Sequence, residues 1–369
     1  MNSRHTWLEV NMAAIRSNFA KMSDRIRPCR ILAVLKNDAY GLGALPIARA
    51  LKQEGVYGFG VAEVREALPL LELGLPVHIM GGLVEDEIAE VVRAGLVAAI
   101  TDEGIARALS AEALRQKRTV ACHYLVDTGM GRQGILARDA ERIIAGIHAL
   151  PGLNPLGIYS HFPHANEDTA FSESQVELLS GLLARLEKRG ISFAWRHIAN
   201  SDGINNIAAA YKAPFNLART AINLYGALGG GSCEAGALEP AVRLMARLIG
   251  IRELPAGATI GYNRTHRLEK PARVGTLSIG YADGLPLALS NRGAVLIGGR
   301  RCPIIGRVSM DYTTVNLENA PGARVWDTAT CLGDGITIGE WAQIKGTHEY
   351  DILCAIGPRP ERRYVNAAT

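Results

Sequence analysis

The chain has 369 residues, of which 48% are hydrophobic and 21% charged, so extended disorder and a single small core are both excluded. The net charge of +4 is spread without a basic stripe and interleaved aromatics, which argues against nucleic acid as a partner. No apolar run reaches membrane-spanning length, and the polar start MNSRHTWLEV has no signal-type apolar region. We therefore expect a cytoplasmic protein with no membrane partner.

Cysteine usage agrees with that compartment. The six cysteines show no C-x-x-C spacing, and they are Cys29, Cys122, Cys233, Cys302, Cys331 and Cys354. Free thiols in a reducing cytoplasm are the favoured interpretation, with three disulfides as the alternative.

The predicted elements begin with a strand, TWLEV, and a helix, MAAIRSNFAKMSDRI. From Arg30 onward, eight short apolar runs alternate with amphipathic helical runs. The apolar runs are ILAVL, YGFGVA, PVHIMGG, LVAAI, VACHYLVD, NPLGIYSH, FAWRHIA and PFNLART. Eight βα units predict an α/β fold of the (β/α)₈ TIM-barrel type over residues 11–230. Residues 1–10 precede the barrel and are expected to pack with the C-terminal domain.

The pattern changes after the glycine-rich GALGGGS at residues 226–232. Short β-type runs separated by Gly, Pro and Asn turns follow it, so residues 231–369 predict a mostly antiparallel β domain. The triple glycine at 229–231 is interpreted as linker rather than phosphate cradle, because no strand-to-helix transition follows it. The basic cluster RPERR at 359–363 is interpreted as a solvated tail segment.

The ends of the barrel strands carry polar groups. In such a barrel the residues just past each strand line one face, where the chemistry lies. Five of the eight strands place polar or cationic residues there, namely Lys36, Arg132, Ser160 with His161, Asn200 with Ser201, and Arg219. Singly, each has an ordinary interpretation as a surface charge, a core histidine or a helix N-cap. Together they predict a cation-rich pocket, which is costly unless an anion fills it.

The position of these groups narrows the choice of anion. Barrels often hold a phosphate after strands 7 and 8, where Ser201 and the amides of Ala221 and Ile222 fall. Tyr40 follows Lys36 closely enough to close the same site. A phosphate at one end and a lysine amine at the other suit pyridoxal phosphate, which forms a Schiff base with lysine. Lys36 would then be the covalent anchor of this cofactor.

The motifs around these residues carry a family resemblance. AVLKNDAYG (33–41) resembles the cofactor-attachment motif of the bacterial alanine racemases. The similarity continues in order through DTGMGRQG (127–134), SHF (160–162), HIANSDG (197–203), GYNRTHR (261–267), IGYADG (279–284), GRVSMDYTTVNL (306–317) and EYDILCAIGPR (349–359). It therefore covers nearly the whole chain.

This resemblance implies a homodimer with shared active sites that interconverts L- and D-alanine and supplies D-alanine for peptidoglycan. It implies Lys36 and the partner subunit's Tyr262 as the two catalytic bases. Further positions match the family by motif. The resemblance implies that Arg219 faces the pyridine nitrogen, that Arg132 faces the cofactor phenolate and that His161 braces Arg219. The residues that match the phosphate end are Tyr40, Ser201, Ala221, Ile222 and Tyr350. The partner lends Met310 and Asp311 to the substrate-carboxylate site, and Tyr281 matches the entrance.

The chemistry of racemisation fits these residue types. The α-proton leaves one face of the substrate and returns to the other, so two bases must flank a planar centre. Neither lysine nor tyrosine is a base at its solution pKa of ~10, and a cationic pocket lowers both pKa values. An arginine against the pyridine nitrogen disfavours protonation of that nitrogen, which limits transamination.

Several positions depart from the family pattern. Leu42 replaces the histidine of the usual Gly-His-Gly, and Leu125 replaces a lysine that is often carbamylated. Another anion, such as chloride, or a nearby side chain is therefore expected to brace Arg132. Further departures are Thr220, Ala221, Ser309 and the run YADGLPLALSN. They affect residues that support the site or line its entrance more than the two bases, Lys36 and Tyr262. In relatives that act on serine, a smaller polar residue tends to stand at the position of Tyr350, so the resemblance implies a short pocket, alanine as the substrate and slow turnover of serine.

Three alternatives stay open. A racemase of serine or another small amino acid has the same fold. A pyridoxal-phosphate-dependent amino-acid decarboxylase can share this architecture, although GYNRTHR and GRVSMDY argue against it. A non-catalytic barrel that carries the cofactor generally lacks the β domain predicted here.

Overall fold

The fold was analysed in a computed structural model that describes residues 5–228 and 238–367. The first strand, β1 (Thr6–Asn11), leads directly into helix α1 (Met12–Arg25). The side chain of Asn11 caps that helix by accepting a hydrogen bond from the backbone of its first turn, as Asn does at many helix starts.

Eight parallel strands form the barrel. They are β2 (Arg30–Val34), β3 (Gly58–Val61), β4 (Val77–Ile79), β5 (Ala98–Ile100), β6 (Val120–Asp127), β8 (Leu153–Tyr159), β9 (Trp195–His197) and β10 (Leu217–Thr220), with the short β7 (Ile135–Leu136) paired beside β6. The barrel closes because β10 pairs with β2 in parallel register. A bridge from His78 to Val97 joins β4 to β5, and the Arg219 amide donates to the Ala199 carbonyl (3.0 Å) between β9 and β10.

Helices follow the barrel strands in sequence. They are α2 (Lys36–Gly41), α3 (Ala44–Gln53), α4 (Val64–Ala67), α5 (Glu85–Ala94), α6 (Glu103–Arg115), α7 (Ala137–Ile147), α8 (Thr169–Lys188) and α9 (Ser201–Asn206). Single 3₁₀ turns add Leu68–Leu73, Ala208–Tyr211 and Ile222–Tyr225. The apolar stripe of α8 is buried at helical spacing, through Val176, Leu179, Leu183 and Leu186.

The β domain is built around one long strand. Its strands are β11 (Val242–Leu254), β12 (Thr259–Ile260), β13 (His266–Arg267), β14 (Ala272–Leu277), β15 (Ala294–Ile297), β16 (Arg300–Pro303), β17 (Thr313–Asn316), β18 (Thr328–Leu332) and β19 (Glu361–Val365). Short 3₁₀ turns lie at Tyr262–Arg264, Tyr281–Asp283 and Leu287–Leu289. The main sheet has the order β16-β15-β18-β11-β1-β19, antiparallel except for the last pair. The predicted class, a (β/α)₈ barrel followed by a mostly antiparallel β domain, agrees with this topology.

Strand β1 belongs to this main sheet. Its register pairs Trp7 with Met245 of β11 on one side and with Glu361 of β19 on the other. One continuous apolar core then runs from the barrel helices into the β domain, with Leu8, Ile15, Phe19, Tyr225 and Leu244 among its members. The glycine run at 229–231 and the proposed boundary between residues 230 and 231 lie outside the described residues.

The prediction of a solvated tail at RPERR is wrong. Residues 361–365 form strand β19, which pairs in parallel with β1. The guanidinium of Arg362 is half-buried and is satisfied by backbone carbonyls instead of water. Charge density alone pointed to solvent, whereas the partners of this segment are remote in sequence.

Two helices also escaped the sequence analysis, α10 (Ile338–Lys345) and α11 (Glu349–Cys354). Each begins with a side-chain cap, from Thr337 and from His348 respectively. Capping residues are a helix-start signal that a sequence can display, but residues 231–369 were predicted as mostly β-strand.

The described part of the chain contains no helix that combines the length and the apolar content needed to cross a membrane. The cysteines within it are all free thiols: Cys29, Cys122, Cys302 and Cys331 are buried and Cys354 is exposed. Cys233 lies outside the described residues.

Candidate active site

A cavity of about 230 Å³ opens at the carboxyl ends of the barrel strands. Four of the predicted rim residues line it together: Lys36, Arg132, His161 and Arg219. Apolar walls come from Val34, Val61, Met80, Leu125 and Tyr159, among others. No carboxylate among the described residues lines the cavity, so its charge is positive.

The turn after Lys36 has an unusual backbone. Asn37, Asp38, Ala39 and Tyr40 all adopt left-handed helical angles, with φ between 51° and 60°. Such a conformation costs about 1 kcal/mol or more for each non-glycine residue, so the surrounding structure must hold it in place. At the start of this turn Lys36 lines the cavity, and at its end Tyr40 is buried. Nothing in the sequence pattern predicted this conformation.

Polar contacts hold this turn from within its own half of the chain. Glu66 accepts a hydrogen bond from the Asn37 amide (2.7 Å), and the carboxylate of Asp38 accepts one from the Ala44 amide (2.7 Å). The carbonyl of Asp38 accepts from Gly43 (2.9 Å), whose φ of 99° suits glycine.

The environment of Lys36 lowers the pKa of its amine. Burial is the largest cause, because the ammonium loses hydration, and the nearby charge of Arg132 acts in the same direction. Cys354 and Glu66 oppose the shift. A larger share of Lys36 is therefore the free amine, which is the form that attacks a carbonyl or accepts a proton.

Arg219 is almost completely buried, with 3% of its surface exposed. Its guanidinium donates to the carbonyls of Ser160 (2.8 Å) and Ile198 (3.0 Å) and to the Nδ1 atoms of His161 (3.2 Å) and His197 (2.6 Å). Burial lowers its pKa to about 10, which still leaves it charged at neutral pH. Arg219 is thus a fixed cation whose partners are all neutral acceptors.

His197 was missed as a support of Arg219, although it opens the HIANSDG motif. Because arginine only donates, the Nδ1 of His197 must accept, and its proton must then sit on Nε2. That nitrogen lies 3.0 Å from Nδ1 of His123, so the bond continues to a second buried histidine. Burial lowers the pKa of His197 and His123 well below the usual value, and this keeps both imidazole rings neutral.

Hydroxyl and amide groups cluster around Tyr40, at the end of the turn that follows Lys36. The Ala221 amide donates to the Ser201 hydroxyl (3.0 Å), and the Tyr350 hydroxyl is hydrogen-bonded to the Ser201 side chain and the Ile222 backbone. The ring of Tyr40 lies 5.5 Å from that of Tyr350. The structure therefore brings together all five residues predicted for the phosphate end.

Asn200 plays a supporting part beside this cluster. Its side chain caps α9 by accepting from the Gly203 amide (2.9 Å) and donates to the carbonyl of Phe162 (3.3 Å). It fixes the start of the helix that carries Ser201.

The loop that carries Arg132 is shaped by a carboxylate. Asp127 accepts hydrogen bonds from the amides of Gly129 (2.9 Å), Met130 (2.8 Å) and Gly131 (3.2 Å). Within the described residues no carboxylate forms an ion pair with Arg132, and Lys36 is the one lysine that lines the cavity. The expectation that an anion or a neighbouring side chain braces Arg132 stays a prediction.

The predicted residues of the β domain are not in this cavity. Tyr262, Met310 and Tyr281 expose 70%, 52% and 47% of their surfaces. Tyr281 and Met310 lie on neighbouring loops, because the Tyr281 amide donates to Ser309 (3.0 Å) and the Met310 carbonyl accepts from Ala282 (3.1 Å). Asp311, next to Met310, forms an ion pair with Arg359 (2.9 Å). Within one chain, two exposed tyrosines and a methionine remain uncovered at the domain edge.

The donor set of the cavity fits pyridoxal phosphate. Its two arginines offer charge to an anion, the pKa of its lysine is lowered, and Tyr40, on the turn that follows this lysine, belongs to a cluster of hydroxyl and amide groups. A site made of amine, guanidinium and hydroxyl groups without a carboxylate suits an anionic aldehyde rather than a metal ion. The fold and the site define a barrel enzyme of the pyridoxal-phosphate-dependent type.

Comparisons with known proteins specify the family. Residues 10–229 match the alanine racemase N-terminal domain and residues 241–364 the alanine racemase C-terminal domain. The chain therefore belongs to the alanine racemase family.

Similar proteins span nearly the whole chain. It is 37% identical to the alanine racemase of Syntrophobacter fumaroxidans over 362 residues, 96% of each protein. Among solved structures, the biosynthetic alanine racemase of Pseudomonas aeruginosa superposes with a TM-score of 0.88 at 33% identity, covering 98% of this chain and 100% of that one. The Bartonella henselae enzyme with covalently bound pyridoxal phosphate gives a TM-score of 0.89 at 26% identity, covering 98% and 100%. The predicted family, fold class, racemase class and cofactor are confirmed by these matches.

Proposed function

We propose that this protein interconverts L-alanine and D-alanine with pyridoxal phosphate anchored on Lys36. The observation that carries the proposal is the Lys36 amine, with its lowered pKa, in a cavity whose other charged groups are Arg132 and Arg219. When bound, the cofactor withdraws electrons from the amino acid and so acidifies its α-hydrogen.

The chain's own residues would hold the cofactor at both ends. Ser201, Tyr350, Tyr40 and the backbone of Ala221 and Ile222 would bind the phosphate, as hydroxyl and amide donors do for many phosphates. Arg219 would face the ring nitrogen. Because Arg219 is a buried cation with four neutral acceptors, it disfavours a second positive charge on that nitrogen, and this restrains side reactions such as transamination.

Arg132 would lie at the phenolate side, where its charge also attracts the substrate carboxylate. Among the described residues Lys36 is the one lysine that lines the cavity, and Leu125 stands where many family members have a lysine that carries a carbamate. We infer that a small anion such as chloride, or a neighbouring side chain, compensates this arginine.

Lys36 would move the proton on one face of the substrate. The opposite face needs a second base, and we assign that role to Tyr262 of a second copy. Support comes from the exposure of Tyr262, Tyr281 and Met310, three large side chains of the β domain. Exposed large apolar side chains of this kind typically mark an interface.

The proposed assembly is a homodimer that exchanges β-domain residues between its two sites. In it, residues 11–230 bind the cofactor together with Tyr350 of the same chain, residues 231–369 lend Tyr262, Met310 and Asp311 to the other copy, and residues 1–10 act with the β domain. The pairing of β1 with β11 and β19 supports the last assignment.

Alanine is the proposed substrate because relatives over nearly the whole chain are named alanine racemases, and we infer that Tyr350 limits the space for a longer side chain. Its ring is packed against Tyr40 and its hydroxyl is engaged by Ser201. An extra polar atom on the substrate is discriminated only weakly by such a wall, so serine should turn over slowly. The proposed role is the supply of D-alanine for peptidoglycan in the cytoplasm, in agreement with the buried free thiols.

The test is incubation of the holoenzyme with L-alanine and with L-serine in D₂O, followed by separation of the enantiomers. We expect deuterium at the α-carbon of both alanine enantiomers and much slower exchange of serine. Release of carbon dioxide would favour a decarboxylase, and a cofactor-loaded protein without exchange would indicate a carrier. Either result would overturn the proposal.

A further inference from the structure

The C-terminal strand β19 reaches across the fold to the turn that follows Lys36. Arg362 donates from Nε (3.0 Å) and Nη2 (2.9 Å) to the carbonyl of Gly41. The hydroxyl of Tyr364, two residues further along, donates to the carbonyl of Leu42 (3.1 Å). Two alternate side chains of one strand thus bind two successive carbonyls at the end of that turn.

The guanidinium of Arg362 is also held by three backbone carbonyls outside the turn. Its remaining bonds go to the carbonyls of Gly357 (2.7 Å), Pro360 (2.8 Å) and Ile356 (2.9 Å). These carbonyls belong to the segment that links α11 to β19. The side chain is half-buried and oriented by five bonds, so it acts as a rigid brace rather than a mobile charge.

The Tyr364 hydroxyl also fits closely against the end of the turn, at Gly43. A Cβ placed on Gly43 would lie 1.9 Å from the Tyr364 hydroxyl, so glycine at this position makes room for that oxygen. Gly41 and Gly43 both have positive φ, at 84° and 99°; Gly41 carries one bound carbonyl, and the two glycines flank Leu42, which carries the other. The strained left-handed residues 37–40 are therefore closed by contacts from more than 320 positions away in the sequence.

We propose that Arg362 and Tyr364 are positioning residues for the cofactor lysine, acting through the carbonyls of Gly41 and Leu42. They hold the left-handed turn in the conformation that points Lys36 into the cavity and places Tyr40 beside Tyr350. This inference rests on the proposed role of Lys36 as the anchor. It also gives the RPERRYV segment a function that its charge did not suggest.

The chain offers a matched control in the same strand. Arg363 lies between Arg362 and Tyr364, pairs with Glu361 (2.7 Å) and lies over the ring of Trp7 (4.7 Å). Among the described residues its side chain contacts Glu361 and Trp7 and not the turn, so its loss perturbs β19 without touching the turn's carbonyls.

The experiment compares R362Q, Y364F and R363Q as purified holoenzymes with wild type. For R362Q and Y364F we expect kcat to fall about 10- to 100-fold while KM changes less than about threefold, because a misplaced reacting group costs rate more than binding. Bound cofactor should leave about 10-fold faster, and the pH at which its absorption band changes should move. R363Q should stay within about twofold of wild type in each measurement.

Hydrogen exchange supplies a readout that needs no cofactor. The amides of Ala39 and Gly43 are bonded within the turn, to Leu35 (2.8 Å) and Asp38 (2.9 Å), and should exchange at least about 10-fold faster in R362Q and Y364F than in R363Q. Unchanged exchange in both variants, or equal acceleration in R363Q, would overturn the inference. If R362Q does not fold, Y364F decides alone, since it removes one oxygen and keeps the ring.

The failure of the proposed function would be visible separately. Borohydride reduction of wild type followed by peptide mapping should find the cofactor on Lys36. A label on another lysine would refute the proposed anchor, whatever the exchange rates of the turn.

Discussion

The barrel rim and the edge of the β domain place the two proposed bases in different surroundings. At the rim, Lys36 lines a cavity together with Arg132 and Arg219, and Arg219 is fixed by four hydrogen bonds. At the edge, Tyr262 exposes 70% of its surface and lies on a short turn between β12 and β13. A single chain therefore forms the cavity that contains Lys36, whereas Tyr262 does not line it, and we propose that Tyr262 serves the site of a second copy.

The largest effect is expected at the rim. Lys36→Ala removes both the anchor and one base, so racemisation should fall by at least about 10⁴-fold. Chiral separation of alanine after long incubation measures it. Lys52→Ala, on the exposed face of α3, is the control and should retain wild-type activity. Substantial activity in Lys36→Ala would remove this residue from the mechanism.

Mixing variants tests whether the rim and the edge belong to different chains. Lys36→Ala and Tyr262→Phe should each be nearly inactive, but a mixed dimer contains one site with both Lys36 and Tyr262. With random exchange, about a quarter of wild-type activity should return. The measurement is activity after co-refolding in equal amounts. No recovery, with mixed dimers shown by differently tagged chains, would mean that each chain completes its own site.

A smaller effect is expected behind Arg219. His197→Leu removes the 2.6 Å bond and leaves a guanidinium donor without its acceptor in a buried place. We expect a loss of about 1–3 kcal/mol in the free energy of unfolding, measured by urea denaturation. His148→Leu is the control, since the buried Nδ1 of His148 makes no hydrogen bond among the described residues. Equal losses in both variants would show that His197 supports packing alone.

The smallest effect concerns pH. Burial, reinforced by Glu349, raises the pKa of Asp202 from 3.8 to about 6. Because the folded-state pKa lies above the unfolded one, the ionised carboxylate costs stability above pH 6, and this cost disappears below pH 4. Asp202→Asn should therefore stabilise the cofactor-free protein by roughly 1–2 kcal/mol at pH 8 and not at pH 4.

The control for that prediction is Asp24→Asn on the exposed end of α1, which should change the unfolding free energy by less than about 0.5 kcal/mol at both pH values. A stabilisation by Asp202→Asn of equal size at pH 4 and pH 8 would show that the carboxylate charge is not its cause.

Local signals in the sequence were sufficient for much of this architecture. Eight apolar runs at barrel spacing predicted the strands, and the position after each strand predicted Lys36, His161, Ser201 and Arg219. This works because a parallel barrel puts all strand ends on one face, so position along the chain translates into proximity.

Other features had no local signal. The left-handed turn at 37–40 depends on Arg362 and Tyr364, and the acceptor at His197 is recognised only once its ring is seen against Arg219. The RPERR segment looked solvated because its partners, the carbonyls of Gly41 and Ile356, carry no side-chain identity that a sequence can display.

By itself the sequence determined the fold class, the family and the residues that stand at the rim, since these follow from periodicity and motif order. Only the tertiary structure decided how those residues are held: the neutral acceptors around Arg219, the brace from β19, and the separation of Tyr262 from the cavity of its own chain. The physical reason is that backbone carbonyls, strained angles and buried tautomers gain their energies from contacts between distant segments, which no local pattern encodes.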